Sequence, residues 1–478
     1  METKNWINGE WVTPKNEKVE AYNPGKLSEK VGIVNFSDSS DVKKADIAAN
    51  SAHKEWKNLN PNVRGSYLSK LADIFEENLD ELAELASREM GKPIGEMKGE
   101  VNRGVNLFRY YAAEGMRSDG NIIPSSDTEV LQYSQRIPLG VVGIITPWNF
   151  PVAIPIWKMA PALICGNTVI WKPAENSVLT ATKMAELFEK ANLPKGVINL
   201  LIGRGRDIGN KILEEANIQC VSFTGSKEVG KHVAEVCARR NIKYQTEKGG
   251  KNAAIVMKDA NLDKVVPIIL SGAFRSAGQK CTATERIIVE KEVFDLLKAK
   301  LKEEVTKIKL GYQLEGDTYL GPVVSEDQYK KVTSFVNLAK EDAEVVAEGN
   351  NNVNLEGYYV NPLIVTGLDK DHSLLKDEVF GPLSVIVPVS DYKEAIQLCN
   401  DSEFGLSASI FTNDLNKAHA FLNEVEVGMA RVNQETAGVE YQAPFGGLKN
   451  SSSHTREQGQ AALDFYSEIK TCAIKYSL

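Results

Sequence analysis

The residues GVVGIIT (140–146) begin a region in which short apolar runs alternate with helical segments. The later runs are TVIWK (168–172), VINLL (197–201) and CVSF (220–223). Short, almost continuous apolar strands separated by helices are typical of a parallel sheet that is covered on both faces. The sequence therefore predicts an α/β fold in this region.

A second alternation follows, with apolar runs at 253–257 and 287–289 and a helix predicted from Asp259 between them. The change of pattern at residues 247–250 predicts a domain boundary. A chain of 478 residues is also too long for one ordinary core and favours two domains or more.

Before this region, residues up to about Pro24 predict small strands or an arm. Apolar residues at steps of three and four predict a helix from Asp41, capped by Ser40 or Asp41, and one longer helix through Leu68–Leu85 that stops at Gly91. These stripes face a core and carry no chemistry.

The composition excludes several classes of function. The net charge of −8, without a cluster of Lys and Arg, predicts no nucleic-acid partner. No apolar run has the length of a signal peptide core or a membrane span, so we expect a cytoplasmic protein without a membrane partner. Six scattered cysteines show no metal spacing, so no metal site is predicted.

A glycine pair follows the apolar run that ends at Phe223, with Gly225 and Gly230 at a strand-to-helix turn. Such a turn lets phosphate approach the backbone and the start of a helix. The Walker A motif fails because His232 stands where Ser or Thr binds magnesium, and GxGxxG fails at Ile208. From the residues alone, a phosphate site and a helix-packing role are equally favoured.

The stretch SAGQKCTATER (276–286) surrounds Cys281 with small and polar residues and places Lys280 directly before it. A nucleophilic cysteine needs an electropositive, partly open setting that favours the thiolate. Free cysteine is more often a small buried hydrophobe, so these residues alone favour a structural role.

Seven motifs, in this order and spacing, resemble the NAD(P)-dependent, non-acylating aldehyde dehydrogenases. The resemblance extends from Ile7-Asn8-Gly9 almost to the C-terminus. The motifs are PWNFP (147–151), WKPAE (171–175), FTGS (223–226), EKGGK (247–251), GQKC (278–281), EVFGP (378–382) and PFGG (444–447).

The resemblance implies that Cys281 attacks the aldehyde to give a thiohemiacetal, and that the Asn149 amide and the Cys281 N–H hold the oxyanion. Hydride transfer to the cofactor leaves a thioester, which is hydrolysed by water activated by Glu247. The resemblance also places Lys158 among the catalytic residues. Without it, Asn149 would be read as a turn residue and Glu247 as a solvated charge.

The resemblance assigns cofactor contacts to a further set of residues. In this assignment Lys172 and Glu175 meet the adenosine ribose, the start of the helix after Gly225 faces the pyrophosphate, and Glu378 holds the nicotinamide ribose. Glu175 favours NAD whereas Lys172 favours NADP, so both cofactors stay open. The full set is Trp148, Lys172, Glu175, Phe223, Thr224, Gly225, Ser226, Gly230, Gly249, Glu378 and Phe380.

The residues that match the substrate tunnel of the family include two cations, Arg103 and Lys280. An arginine binds a carboxylate through two parallel hydrogen bonds. Together with a likeness to α-ketoglutarate semialdehyde dehydrogenases, this predicts an acidic semialdehyde such as 2,5-dioxopentanoate. The alternative is that Arg103 faces solvent. The tunnel set is Arg103, Phe150, Trp157, Lys280, Thr282, Val439 and Phe445.

Two motifs depart from the family pattern. Lys248 replaces the usual leucine beside Glu247, and its ammonium would lower the pKa of that carboxyl if it faced it. The segment Ser451–Glu457 lacks both glycines of the usual motif, which puts the shape of this loop in doubt.

The resemblance implies a Rossmann-like NAD(P)-binding domain (1–118 and 139–248), an α/β catalytic domain (249–449) and a small β bridging element (119–138 and 465–478). The exposed sheet edges of such a bridge predict a homodimer or homotetramer. The alternatives are a broad-specificity or betaine-type aldehyde dehydrogenase and a non-catalytic homologue that binds the cofactor. An acylating enzyme is disfavoured by Glu247, because that chemistry must suppress attack by water.

Overall fold

The computed structural model describes residues 1–117, 119–350 and 355–477. The described part is built mainly on two seven-stranded sheets that are packed against helices. The strands are β1 (Asn5–Ile7), β2 (Glu10–Val12), β3 (Glu17–Asn23), β4 (Lys26–Phe36), β5 (Ile122–Ile123), β6 (Val130–Pro138), β7 (Val141–Ile145), β8 (Thr168–Lys172), β9 (Ile198–Leu200), β10 (Cys220–Thr224), β11 (Lys243–Glu247), β12 (Asn252–Val256), β13 (Thr284–Glu290), β14 (Glu344–Glu348), β15 (Leu363–Thr366), β16 (Leu383–Val389), β17 (Phe404–Gly405), β18 (Ser407–Phe411), β19 (Met429–Val432), β20 (Leu448–Lys449) and β21 (Ser467–Lys475).

The helices connect and cover these strands. They are α1 (Ser39–Trp56), α2 (Pro61–Glu77), α3 (Leu79–Met90), α4 (Ile94–Glu114), α5 (Ala153–Ile164), α6 (Val178–Lys190), α7 (Asn210–Glu215), α8 (Lys227–Arg239), α9 (Leu262–Phe274), α10 (Lys291–Val305), α11 (Glu326–Asp342), α12 (Ser373–Lys376), α13 (Tyr392–Asn400), α14 (Leu415–Glu424) and α15 (Ala461–Phe465).

The first sheet has the order β11-β10-β7-β8-β9-β1-β2. Its strands from β11 to β9 are parallel, and β1 and β2 extend it in antiparallel fashion. Read in chain order, the parallel strands follow the order of a Rossmann sheet, and the order reverses between β7 and β10. Ligands bind outside the carboxyl ends of the strands at such a reversal.

The core explains why these segments are strands. Every residue of β7, β8 and β10 is buried. Ile144 and Trp171 pack into one hydrophobic cluster, while Ile145 and Ile170 pack into another on the opposite face. The prediction of a parallel α/β sheet covered on both faces is confirmed.

The second sheet has the order β14-β15-β16-β13-β12-β18-β19, and only β14 within it is antiparallel to its neighbour. Its first strand begins at Asn252, five residues after the first sheet's last strand ends at Glu247. The predicted domain boundaries stay a prediction, and residues 118, 351–354 and 478 of those ranges lie outside the described residues.

A third, three-stranded sheet has the order β21-β6-β5 and joins the C-terminal strand to residues 122–138. Large apolar side chains of β21 point to solvent, with 66% of Ile469 and 49% of Ile474 exposed. The outer edge of β21 has no strand beside it within the described residues.

Two expectations for the N-terminal helices were wrong in detail. The side chain of Asp38, rather than Ser40 or Asp41, caps α1 by accepting a hydrogen bond from the Ser40 N–H. The single predicted helix through Leu68–Leu85 is broken at Asn78, whose amide donates to the Ile74 carbonyl at 2.7 Å and competes with the backbone. Its predicted stop is confirmed, because Gly91 ends α3 with a φ of 89°.

The helix predicted from Asp259 begins three residues later, at Leu262. The Asp259 carboxylate accepts hydrogen bonds from Thr412 and Asn413, so Asn261 caps the helix instead. No helix in the described ranges is long and apolar enough to cross a membrane.

Candidate active site

The candidate site lies where the order of the first sheet reverses. The loop 147–150 follows β7, and Gly225 and Ser226 follow β10, so both reach the same crevice. Ser226 caps α8 by accepting a hydrogen bond from the Val229 N–H. The cavity here is lined by Pro147, Trp148, Asn149, Ile154, Thr224, Gly225, Ser226, Lys248, Gly249, Cys281, Gln328, Lys331, Glu378 and Phe380.

A strained turn brings Cys281 to this cavity from the second sheet. Ser276 and Ala277 have φ values of 56° and 55°, and Gly278 has a φ of 68°. A Cβ on Gly278 would lie 2.2 Å from the carbonyl oxygen of Gly381, so only glycine fits there.

Cys281 is half-buried, and its backbone carbonyl accepts a hydrogen bond from Asn252 Nδ2 at 2.8 Å. Burial raises the pKa of the Cys281 thiol well above its usual range, and the carboxyls of Glu378 and Glu247 raise it further. The thiol is therefore protonated at neutral pH, and its activation requires a base.

Asn149 is almost fully buried beside the segment that carries Cys281. Its Nδ2 donates to the Gln279 carbonyl at 3.0 Å, which leaves the second amide proton free of that bond. Its own backbone carbonyl accepts from Lys92 Nζ at 2.7 Å. Asn149 Oδ1 is buried without a partner among the described residues, so the amide does not bond to its own backbone as expected of a turn residue.

A buried ion pair fixes the loop that carries Asn149. Lys92 Nζ lies 2.5 Å from Glu100 Oε2, and the other oxygen of Glu100 accepts from the N–H groups of Val152 and Ala153. Both oxygens of this buried carboxylate are thus bonded, so the start of α5 and the preceding loop form one rigid unit.

Glu247 ends β11 and is 1% exposed. Its Oε2 accepts a hydrogen bond from the Ser452 hydroxyl, whereas its buried Oε1 has no hydrogen-bond partner in the part of the chain that the structure describes. Burial raises the pKa of Glu247 well above its usual range, and Glu457 raises it further. Glu247 is not the solvated charge that its local sequence would indicate.

The cation beside Glu247 does not reverse this shift. Lys248 Nζ donates to Thr246 Oγ1 at 3.3 Å, and its methylene chain lies against Gly230 at the start of α8. The expectation that Lys248 would lower the pKa of Glu247 applied only if its ammonium faced that carboxyl. The ammonium donates to Thr246 instead, and burial is the largest influence on the pKa of Glu247.

Lys158 forms a buried ion pair with Glu457 and also donates to Ser222 at 2.9 Å. The second oxygen of Glu457 accepts from Trp157 Nε1 at 2.7 Å. This charge pair acts on Glu247, whose pKa Lys158 lowers and Glu457 raises.

On the other wall of the cavity, Glu378 and Phe380 lie in the loop between α12 and β16. Glu378 Oε1 accepts from the Gly250 N–H at 3.0 Å, and burial raises the pKa of Glu378 to about 7. The Phe380 ring meets Trp148 edge-on at 5.6 Å. A Cβ on Gly249 would lie 2.2 Å from the Glu378 carboxylate, so the glycine permits this close approach.

The crevice continues past Phe223 to a cavity between the turn 205–209 and α8. At its rim, Lys172 Nζ donates to the Pro173 carbonyl, and burial lowers the pKa of Lys172 to about 8. Glu175 accepts hydrogen bonds from the Gly205 N–H and from Arg204, each at 3.1 Å.

The comparisons with known proteins agree with this geometry. A sequence profile described as "Aldehyde dehydrogenase family" matches residues 11–472. The chain belongs to the aldehyde dehydrogenase family.

Similar members of this family include two whose names specify a substrate. An alpha-ketoglutaric semialdehyde dehydrogenase of Bacillus subtilis is 46% identical over 98% of both chains. A 2,5-dioxopentanoate dehydrogenase of Saccharolobus solfataricus is 38% identical over 98% of this chain and 99% of its own.

Solved structures of the family have the same fold. The betaine aldehyde dehydrogenase of Staphylococcus aureus in complex with NAD+ is 32% identical, with a TM-score of 0.96 over 100% of this chain and 95% of its own. The NAD+ complex of an aldehyde dehydrogenase from Bacillus cereus is 34% identical, with a TM-score of 0.95 over 100% and 97%. The predicted aldehyde dehydrogenase fold is confirmed.

In this aldehyde dehydrogenase, four of the predicted tunnel residues lie together. Arg103 Nη1 donates to the Val439 carbonyl at 2.6 Å, and its guanidinium lies 6.0 Å from the Trp157 ring centroid. The rings of Trp157 and Phe445 are 5.4 Å apart. Arg103 is half-buried, so the reading in which it simply faces solvent was wrong.

The remaining tunnel residues are held by other contacts. Lys280 Nζ is tied to the Ser271 carbonyl at 3.1 Å. The carbonyl of buried Thr282 accepts from Thr436. Phe150 packs under Lys92 Nζ, which lies 3.7 Å from the ring centroid.

The sequence did not single out four residues that complete the site. Glu457 and Ser452 act on Glu247, Gln458 accepts a hydrogen bond from Arg103 at 3.0 Å, and Arg204 pairs with Glu175. Glu457 belongs to the Arg-Glu pair of the C-terminal motif, and this motif is the feature of the sequence that could have indicated it.

Proposed function

We propose that this enzyme oxidises an aldehyde with a remote carboxylate, with 2,5-dioxopentanoate as the preferred substrate. The observation that carries the proposal is the half-buried guanidinium of Arg103 beside Trp157 and Val439. Its Nη1 and Nη2 each donate one of their two protons to the protein, so each keeps a second proton for an anionic ligand. Its Nε is buried without a hydrogen-bond partner among the described residues. The names of similar relatives, which specify this semialdehyde, support the assignment.

The first chemical step is assigned to Cys281 and Asn149. The Cys281 thiol passes its proton to solvent and its Sγ bonds to the aldehyde carbon. The electron pair of the carbonyl π bond moves to the oxygen, which becomes an oxyanion. The free amide proton of Asn149 and the Cys281 N–H are the donors for that oxyanion. A donor that is fixed before the reaction stabilises charge without reorganisation. A bound NAD+ supplies the hydride acceptor that converts this adduct into a thioester.

The second step is assigned to Glu247. Its unpaired Oε1 takes a proton from water, the resulting hydroxide attacks the thioester carbonyl, and the Cys281 thiolate leaves with formation of the acid. Because the pKa values of both Glu247 and Cys281 are raised, we expect kcat to rise with pH through neutrality.

The residues of the crevice fit a dinucleotide. Thr224 Oγ1 is buried without a partner within the described ranges, and Gly225 allows close approach to the start of α8. We assign the pyrophosphate to this helix start, the two riboses to Glu175 with Lys172 and to Glu378, and the nicotinamide to the wall formed by Trp148 and Phe380. NAD+ is supported as the cofactor by the NAD+ complexes of the structural neighbours.

We propose that the chain assembles into a homodimer or homotetramer through the outer edge of β21. Its unpaired backbone and its exposed Ile469 and Ile474 suit pairing with another copy.

We also propose the division into a cofactor domain (1–118 and 139–248), a catalytic domain (249–449) and a bridging element (119–138 and 465–478).

The cytoplasm is the proposed location. All six cysteines are free thiols in the structure, which suits a reducing compartment.

The function is tested by following reduced cofactor at 340 nm with 2,5-dioxopentanoate, succinate semialdehyde, betaine aldehyde and a medium-chain aliphatic aldehyde. We expect acidic aldehydes to exceed neutral ones by about tenfold or more in kcat/KM, which corresponds to about 1.4 kcal/mol. Cys281→Ala is the inactive control. A preference for neutral aldehydes would overturn the substrate, and inactivity with every aldehyde would overturn the function.

The variant Arg103→Met tests substrate preference separately from the catalytic steps. The variant should lose the preference for acidic aldehydes and keep kcat with the aliphatic aldehyde, because the remote carboxylate is the only part of the substrate that Arg103 is proposed to bind. An unchanged preference would exclude Arg103 as the carboxylate ligand.

A further inference from the structure

The segment Ser451–Ser453 departs from the family pattern and lies directly against the end of β11. Ser451 Oγ donates to the Gly249 carbonyl at 2.8 Å. Ser453 Oγ accepts from the Thr246 N–H at 2.9 Å. Two of the three serines therefore bind backbone on either side of Glu247, and they fix the loop whose shape the missing glycines put in doubt.

The middle serine makes a different contact. Ser452 and Glu247 form an isolated antiparallel bridge, and the Ser452 hydroxyl bonds to Glu247 Oε2. The Gly447 N–H donates to the same Ser452 oxygen at 2.6 Å. Because a hydroxyl has a single proton, this leaves the proton of Ser452 for the carboxylate.

The other carboxylate oxygen remains available. Glu247 Oε1 is buried and has no hydrogen-bond partner among the described residues, and it faces Gly446, where a Cβ would lie 3.1 Å from it. Gly446 has a φ of 148°, so this position is suited to glycine and the space beside Oε1 stays open.

We propose that Ser452 is a positioning residue for the base: its hydroxyl holds Glu247 Oε2 on the C-terminal segment and keeps Oε1 free to take a proton from water. This inference rests on the proposed role of Glu247. Ser452 is not among the described residues that line the cavity, and in this proposal it acts only through the orientation and charge of the carboxylate. A hydrogen bond to the charged form also favours ionisation of Glu247.

The test compares Ser452→Ala with Ser453→Ala, which also removes one hydroxyl from this loop but leaves the contact with Glu247 intact. In Ser452→Ala, the acidic limb of the kcat profile should move up by about one pH unit, since two or three hydrogen bonds lower a carboxyl pKa by about two units. The profile of Ser453→Ala should overlay the wild type, and Ser452→Thr should restore it. Equal profiles for the two alanine variants would reduce Ser452 to a loop anchor and overturn the proposal.

A second readout does not depend on an aldehyde. The rate at which iodoacetamide alkylates Cys281, followed by peptide mass spectrometry over a pH series, senses the charge of Glu247 because that charge acts on the thiol. Its inflection should shift in Ser452→Ala and not in Ser453→Ala, and an unshifted inflection would overturn the proposal. If the wild type oxidises no aldehyde, the proposed function fails, and the alkylation profile alone decides the role of Ser452.

Discussion

At the end of the crevice near Lys172, both oxygens of Glu175 are hydrogen-bonded, one to the Gly205 N–H and one to Arg204. At the end near Cys281, Glu247 has one bonded oxygen and one buried oxygen without a partner in the described chain. A carboxylate with both oxygens bonded is held in one orientation. A half-paired one has a raised pKa and keeps a site for a proton, which suits a base.

The largest effect is expected for Glu247→Gln. Loss of the base should lower steady-state kcat by about 10²–10⁴-fold, the usual contribution of general base catalysis. The first turnover should still release one reduced cofactor per site, because hydride transfer precedes thioester hydrolysis. Rapid mixing separates the two steps, with Glu175→Gln as the paired-carboxylate control. A vanished burst would contradict the assignment of Glu247 to the second step.

Asn149→Ala should affect the opposite step. Removal of one oxyanion donor typically costs about 10²–10³-fold in rate. The burst of reduced cofactor should therefore slow by that factor, whereas a thioester formed slowly would still be hydrolysed by Glu247. A normal burst with slow turnover would move Asn149 to the hydrolytic step and weaken the contrast between a fixed donor and a free base.

Glu378 extends the comparison to a second half-paired carboxylate, whose pKa is about 7 against an ordinary value of 4.5. Between these two values the folded state keeps a proton that the unfolded state has lost, so stability falls as pH rises from about 4.5 to about 7. Glu378→Gln should remove on the order of 2–3 kcal/mol of this fall. Urea midpoints at pH 5 and pH 8, measured without cofactor, provide the test, and an unchanged slope would contradict it.

The smallest effect is expected at the paired end. Glu175→Gln keeps the size of the side chain and removes the negative charge that disfavours a 2′-phosphate. Because Arg204 already neutralises that charge in part, the NADP+ to NAD+ ratio of kcat/KM should rise only about tenfold or less, equivalent to about 1.4 kcal/mol. A change of several hundredfold would mean that Arg204 does not screen Glu175.

The strands of the first sheet were predictable because their signal is local. Apolar runs such as TVIWK (168–172) become fully buried strands. The break at Asn78 was missed because the amide that ends α2 looks like any polar residue on a helical stripe. Whether a helix continues past such a residue depends on the hydrogen bond between its side chain and the backbone, which the apolar periodicity does not show.

Only the site residues that belong to a family motif could be predicted from the sequence. Cys281, Glu247 and Asn149 were proposed from the resemblance, and their roles stay predictions that the geometry supports. Ser452 was missed because its contact with Glu247 joins residues 205 positions apart, and nothing local to either residue indicates it. The burial of Arg103 depends in the same way on Val439 and Gln458, far along the chain.

The C-terminal segment gives the enzyme an order of completion during synthesis. The first large sheet has its last strand in chain order, β11, at Glu247, and the second has its last strand, β19, at Val432. The strands of both are therefore complete before Ser452 and Glu457 have been made. A nascent chain that ends before Ser451 would carry Cys281 and Glu247 without Ser452 and Glu457, and without β21 to pair with β6. The surroundings of Glu247 are thus completed only after the strands of both large sheets, so formation of the sheets and completion of the proposed site are separate events in synthesis.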